Sequence, residues 1–111
     1  MVVLSTQNNS ILGLVGGREY TTKRGYNRAT DMKRQPGSTF KPIADYAPAI
    51  EAGYAPATVV NDVRTTFGTN WQPVNYDGKY RGIISMRTAA QNSVNVASIN
   101  FLQLATIPNS L

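Results

Sequence analysis

Ser38-Thr39-Phe40-Lys41 sets a hydroxyl and an amine three residues apart. At the start of a helix, positions i and i+3 share a face, so the Lys41 amine would stand beside the Ser38 hydroxyl. A hydroxyl is a poor nucleophile at neutral pH. A lysine freed of its proton by burial or by a nearby cation can accept the hydroxyl proton. The unpaired N–H groups of the helix N-terminus would favour an oxyanion, and Pro36-Gly37 presents the serine on a sharp turn. The chain has no histidine and no cysteine. That excludes Ser-His-Asp and Cys-His nucleophiles, disulfide frameworks and most zinc sites; no metal or other cofactor is expected. A serine activated here must rely on lysine, a carboxylate or a second hydroxyl. Ser-x-x-Lys alone is a weak signal, because a capping serine followed by a solvated lysine reads the same way.

A second constellation is Ser93-Val94-Asn95. The Ser93 hydroxyl could relay a proton, and the Asn95 amide could hold a substrate carbonyl or the lysine. Its bland reading is local helix capping. Another Ser-x-Asn, Ser98-Ile99-Asn100, follows inside the last helical pattern. Ser93 is preferred because it falls at a helix break, where a polar side chain can face a cleft.

The elements that must position these groups follow from pattern. Val2 to Thr6 and Ile11 to Val15 are short apolar runs around the polar turn Gln7-Asn8-Asn9-Ser10, which predicts a β-hairpin. Residues 18–37 show no period and read as a long loop, a length often tied to function. Residues 38–52 read as a helix with Phe40, Ile43, Ala44, Ala47 and Ile50 on one apolar face and Gly53 at C′. Pro42 fits the first turn, whereas Pro48 should kink the helix over residues 44–47. Residues 54–83, rich in Pro, Gly and aromatics, predict a structured loop region with room for a short hairpin. Ser85 can cap a helix over 86–92, and a last helix over 96–105 would share Val96, Ile99, Leu102 and Ala105 on one face.

Composition sets the bounds. The 111 residues are 41% hydrophobic and 15% charged, which suits one small packed domain rather than a disordered tail. Eleven Lys and Arg against six Asp and Glu give a net charge of +5, densest between Arg18 and Arg34. Such a stretch could attract nucleic acid, anionic lipid or an acidic cell-wall polymer, and its bland reading is a solvated basic loop. The bases do not line one helix face and lack ordered aromatic interleaving, so no nucleic-acid partner is expected. No segment reaches the roughly 18 apolar residues of a membrane span. The chain begins inside a strand pattern and ends soon after a helical one, so it reads as a piece of a longer protein.

The run from Asn27 to Pro42, with Arg34-Gln35-Pro36-Gly37-Ser38-Thr39-Phe40-Lys41-Pro42 at its centre, closely resembles the active-site segment of class A penicillin-binding proteins. The likeness continues upstream through Leu14-Val15-Gly16-Gly17-Arg18. Downstream it runs through Glu51-Ala52-Gly53-Tyr54, Trp71-Gln72-Pro73-Val74-Asn75-Tyr76-Asp77-Gly78 and Arg87 to Val96. It implies an α+β fold, part of a penicillin-binding transpeptidase or serine β-lactamase-like domain, with an N-terminal hairpin followed by helices. In the family that hairpin belongs to a five-stranded sheet. It also implies a D,D-transpeptidase in which Ser38 attacks the D-Ala-D-Ala bond of a peptidoglycan stem peptide, releases D-Ala and passes the acyl group to a neighbouring amine. β-Lactams would acylate the same serine. By this likeness Lys41 is the base, Ser93 the proton relay and Asn95 the substrate-positioning amide. The sequence leaves open how Lys41 and Ser93 share the proton. The resemblance further implies a membrane-anchored parent protein working on the extracytoplasmic face of the bacterial cell membrane.

The family's Lys-Thr-Gly is absent from residues 1–111. Lys23-Arg24-Gly25 is a superficial match that precedes the nucleophile in a loop and is rejected. Losing one oxyanion donor typically costs ~10²–10³ in turnover, so residues 1–111, read as one incomplete transpeptidase domain, are expected to be poorly active alone. Unpaired strand edges predict self-association. The competing reading is a non-catalytic cell-wall or glycan-binding module using the basic loop and aromatics. A β-lactam hydrolase would need a deacylating base, and no acidic residue is an obvious candidate.

Overall fold

The computed structural model describes residues 1–19 and 21–106; Tyr20 of the long loop and residues 107–111 lie outside them. The described chain forms two compact units, residues 1–35 and the part from residue 36 onward. The first carries the expected hairpin. β1 (Val2–Leu4) pairs antiparallel with β2 (Ile11–Leu14), Val2 opposite Leu14 and Val3 opposite Gly13, with a shift in register after Val3. Asn9, at φ +58°, turns the chain, and the Asn8 carboxamide oxygen accepts from the Ser10 N–H at 3.1 Å. These are the residues that tolerate left-handed backbone and make Asx turns.

The second unit opens with a helical run of three kinds. Gly37–Phe40 is a 3₁₀ turn, Pro42–Tyr46 a π-helical turn, and α1 spans Ala47–Glu51. The sequence predicts a kink from Pro48. The chain instead widens one turn: the Ala47 N–H reaches back to the Pro42 carbonyl. Pro48 then falls in the first turn of α1, where its missing N–H has no intrahelical partner to lose. The end of α1 is as expected. Gly53 at φ +96° donates to Ile50 O and Tyr54 to Ala49 O, both at 3.0 Å, the paired bonds of a Schellman motif.

The stretch expected to be a structured loop region with room for a short hairpin holds two strands. β3 (Val59–Asp62) pairs antiparallel with β4 (Gly82–Ser85), Val60 opposite Ile84 and Asp62 opposite Gly82. The intervening loop carries a tight Phe67–Trp71 bridge with N–O distances of 2.7 and 3.2 Å. Ser85 caps α2 (Met86–Gln91) by accepting from the Thr88 N–H at 3.2 Å. α3 (Asn95–Ala105) follows after a short break. The architecture is α+β, as the resemblance implied.

The core of this unit joins Tyr46 and Ala49 to Ile84, Met86, Ala89, Val94, Ala97, Phe101 and Ala105. Tyr46 and Phe101 meet with ring centroids 5.8 Å apart at 58°, a tilted pairing favoured by the ring quadrupoles. Two expected faces are displaced. Around α1 the buried residues are Asp45, Tyr46, Pro48 and Ala49, while Phe40, Ile43 and Ile50 are exposed. The wide turn rotates the helix away from a simple three-and-four register. On α3 the buried side is Val96, Ala97, Ser98, Phe101 and Ala105, with Ile99 and Leu102 only half-buried. Ser98 occupies a core position that an apolar count passes over. Among the described residues, no helix is long and apolar enough to cross a membrane.

Candidate active site

The candidate site lies wholly in the second unit. Gly37, at φ +56°, turns the chain into the 3₁₀ segment. The Lys41 N–H donates to the Ser38 carbonyl, closing an i to i+3 turn. In a 3₁₀ helix, side chains three apart eclipse, so Ser38 and Lys41 start from the same face. The Ser38 side chain is exposed and carries no hydrogen bond among the described residues.

Lys41 reaches across to the break between α2 and α3. Its Nζ donates to Ser93 O at 2.7 Å, to Ser93 Oγ at 3.1 Å and to Asn95 Oδ1 at 2.7 Å. Ser93 stands at φ +49°, so the predicted break is one left-handed residue that aims both its carbonyl and its hydroxyl at the lysine. Asn95 opens α3. Its Nδ2 donates to Val74 O at 2.7 Å, which turns Oδ1 toward Lys41. Lys41, Ser93 and Asn95 are thus brought together, and Ser38 sits one turn before the lysine without a bond to the group.

The three acceptors match the three N–H bonds of an ammonium. Two of them, a carbonyl and a carboxamide oxygen, can only accept. The Ser93 hydroxyl alone can reverse and donate to a neutral amine. Burial lowers the pKa of Lys41, opposed by the negative charge of Asp45. Burial in turn raises the pKa of Asp45, against the Ser98 hydroxyl, which donates to Asp45 Oδ2, and the charge of Lys41. Burial also pushes Tyr46 up to about 12, opposed by nearby Ser98 and reinforced by the charge of Asp45. The Tyr46 hydroxyl has no partner at hydrogen-bonding geometry. A cleft of about 460 Å³ opens over Lys41 and Asp45 and is bordered by Trp71, Val74, Asn95 and Ser98.

The second Ser-x-Asn takes no part in the lysine cluster: Ser98 faces Asp45, and Asn100 Nδ2 donates to Asn61 O at 2.9 Å. Sequence reasoning missed Asp45, whose only signal is a carboxylate four residues after the lysine. It also missed the buried pair Asp62 and Asn75. No group of three His, Cys, Asp or Glu among the described residues could hold a metal ion.

A family model described as the penicillin binding protein transpeptidase domain matches residues 1–107. The chain is 40% identical over 108 residues to penicillin-binding protein 1A of Neisseria flavescens, and equally so to that of Neisseria gonorrhoeae. These matches cover 92% of this chain and 13% of the relatives. Penicillin-binding protein 1F of Bacillus subtilis is 39% identical over 99 residues, 88% of this chain and 13% of the relative. The chain therefore spans a small part of the curated relatives' length. A family match across nearly all its residues, together with a lysine held by a serine and an asparagine, leads to one conclusion: the chain belongs to the penicillin-binding protein transpeptidase family.

Proposed function

We propose that the protein carrying this chain is a serine-type D,D-transpeptidase that cross-links peptidoglycan, and that residues 1–111 are part of its transpeptidase domain. Ser38 Oγ attacks the carbonyl of the penultimate D-Ala, and its proton passes to Lys41. The C–N bond of the tetrahedral adduct breaks, and the terminal D-Ala leaves as an amine carrying that proton. An amine of a neighbouring stem peptide then attacks the ester, and its proton returns to Ser38. Ser93 relays the proton because its hydroxyl is the one contact of Lys41 able to donate as well as accept. Asn95 holds the lysine and borders the cleft where the stem peptide would lie.

The observation that carries this reading is the half-buried Lys41 amine held at 2.7–3.1 Å by Ser93 and Asn95, one 3₁₀ turn after an exposed serine. A glycan-binding surface has no need of a desolvated lysine. We extend the proposal to the parent's setting: membrane-anchored, on the extracytoplasmic face, acting on stem peptides and acylated by β-lactams. The 111 residues alone contain no Lys-Thr-Gly, and low turnover is expected of them. The two hairpins have outer edges without a strand partner among the described residues, which supports self-association of this piece. The test is labelling of the full-length protein with a fluorescent penicillin, followed by mass mapping of the acylated peptide. An adduct on Ser38, absent in Ser38→Ala, is expected. Labelling that survives Ser38→Ala, or no labelling of the folded wild type, overturns the assignment.

A further inference from the structure

The Trp71–Gly78 segment contributes a residue that serves the site without touching the nucleophile. Asn75 is only 3% exposed. Its Nδ2 donates to Asp62 Oδ1 at 2.8 Å, to Asp62 Oδ2 at 3.1 Å and to Lys79 O at 2.8 Å. Its Oδ1 accepts from the N–H of Asn95 at 2.9 Å and of Val96 at 3.3 Å.

α3 needs that oxygen. Its N-cap is Val94, which has no side-chain acceptor, so the first N–H groups would be buried without partners. Asn75 supplies the cap from elsewhere in the chain. The Asn95 whose backbone it holds is the residue whose Oδ1 binds Lys41 Nζ. The neighbouring Val74 carbonyl grips the Nδ2 of that same side chain. Asp62 is fully buried, and as a carboxylate it only accepts. It therefore fixes which way the Asn75 amide points, nitrogen toward β3 and oxygen toward α3.

We infer that Asn75, oriented by Asp62, is a positioning residue for the acylation reaction: it sets the first turn of α3 and, through Asn95, the place of the Lys41 amine. This rests on Ser38 being the nucleophile. Asn75→Ala removes the cap, leaves two helix N–H groups without a partner, and leaves the buried Asp62 carboxylate with only the Arg81 N–H at 2.9 Å and the Arg81 guanidinium beside it. Asn75→Asp keeps an oxygen for α3 but sets two carboxylates in contact, so one must hold a proton to stand in for Nδ2. The Arg81 N–H donates to Asp62 Oδ2 at 2.9 Å, and the Arg81 guanidinium, 4.0 Å from Asp62 and itself paired with Asp77 at 2.7 Å, is the charged side chain beside that pair.

The experiment uses the full-length protein and the first-order acylation constant at saturating fluorescent penicillin, counted per active serine. Counting per active serine separates misplacement of the lysine from loss of folded protein. Asn75→Ala is expected to acylate roughly 10- to 100-fold more slowly. Asn75→Asp should recover toward wild type as pH falls from about 8 to about 5.5, when the shared proton is retained. A per-site constant for Asn75→Ala within twofold of wild type overturns the inference. Should that variant not fold, Asn75→Asp decides alone: a ratio to wild type that stays flat with pH overturns it. Failure of the wild type to label at Ser38 would instead strike the functional reading itself.

Discussion

Asp45→Asn tests how the lysine is tuned. Asp45 lies one turn after Lys41, its carboxylate favours the ammonium form, and the two make no ion pair among the described residues. Lys41 stands at the start of the wide turn and Asp45 inside it, with their charged groups near one another but not in an ion pair. A unit charge at roughly 6 Å, with an effective dielectric near 40 for a half-buried cleft, is worth about 1.4 kcal/mol, or about one pH unit. The carboxamide oxygen can still accept from Ser98, so the change removes charge while keeping shape. In the proposed mechanism acylation needs neutral Lys41, so the rate should climb as pH rises through the lysine pKa, which burial already lowers. Removing the negative charge lowers that pKa further, and the acid limb should move down by about one unit with the plateau unchanged. Burial raises the pKa of Asp45 itself, so the difference from wild type narrows at the acid end. Stopped-flow acylation of the full-length protein by a chromogenic β-lactam across pH 5–10 reads the limb directly. A limb that stays put, or moves to higher pH, would refute the idea that Lys41 must be neutral and that Asp45 opposes this.

Tyr46→Phe deletes a buried hydroxyl without a partner, so thermal unfolding near pH 7 should show equal stability or a gain of up to about 1 kcal/mol. Because the folded pKa of Tyr46 is raised to about 12, wild-type stability is intact below its unfolded value and lost as pH climbs toward 12. Tyr46→Phe should lack that part of the alkaline loss. Gly53→Ala meets no neighbour within 4 Å but forces a side chain to φ +96°. A loss of about 1–2 kcal/mol by denaturant unfolding is expected, with the acylation constant per active serine unchanged.

Much of the candidate site's local geometry is legible because it is written in short stretches of sequence. Ser38 and Lys41 are three apart in one turn, Ser85 and Gly53 mark helix ends, and a break between two helical patterns pointed to Ser93. What was hidden depends on groups far apart in sequence. Val59–Asp62 and Gly82–Ser85 are short, and their pairing across the loop over 63–81 follows from tertiary packing rather than from local alternation. Local rules make Pro48 a defect in an α-helix, whereas the wide turn before it relocates the proline to a helix start. Ser98, Asp45, Asp62 and Asn75 are buried polar residues whose worth lies in one another, and composition scores each of them as surface.

The left-handed backbone at Ser93 narrows the choice of residue there. Threonine offers the same hydroxyl chemistry, yet its branched Cβ is strongly disfavoured at positive φ. Glycine and asparagine sit comfortably in that conformation but bring no hydroxyl. Serine is the residue that satisfies both demands, so a mutational scan of position 93 should return a single tolerated letter for acylation and a broader set for folding.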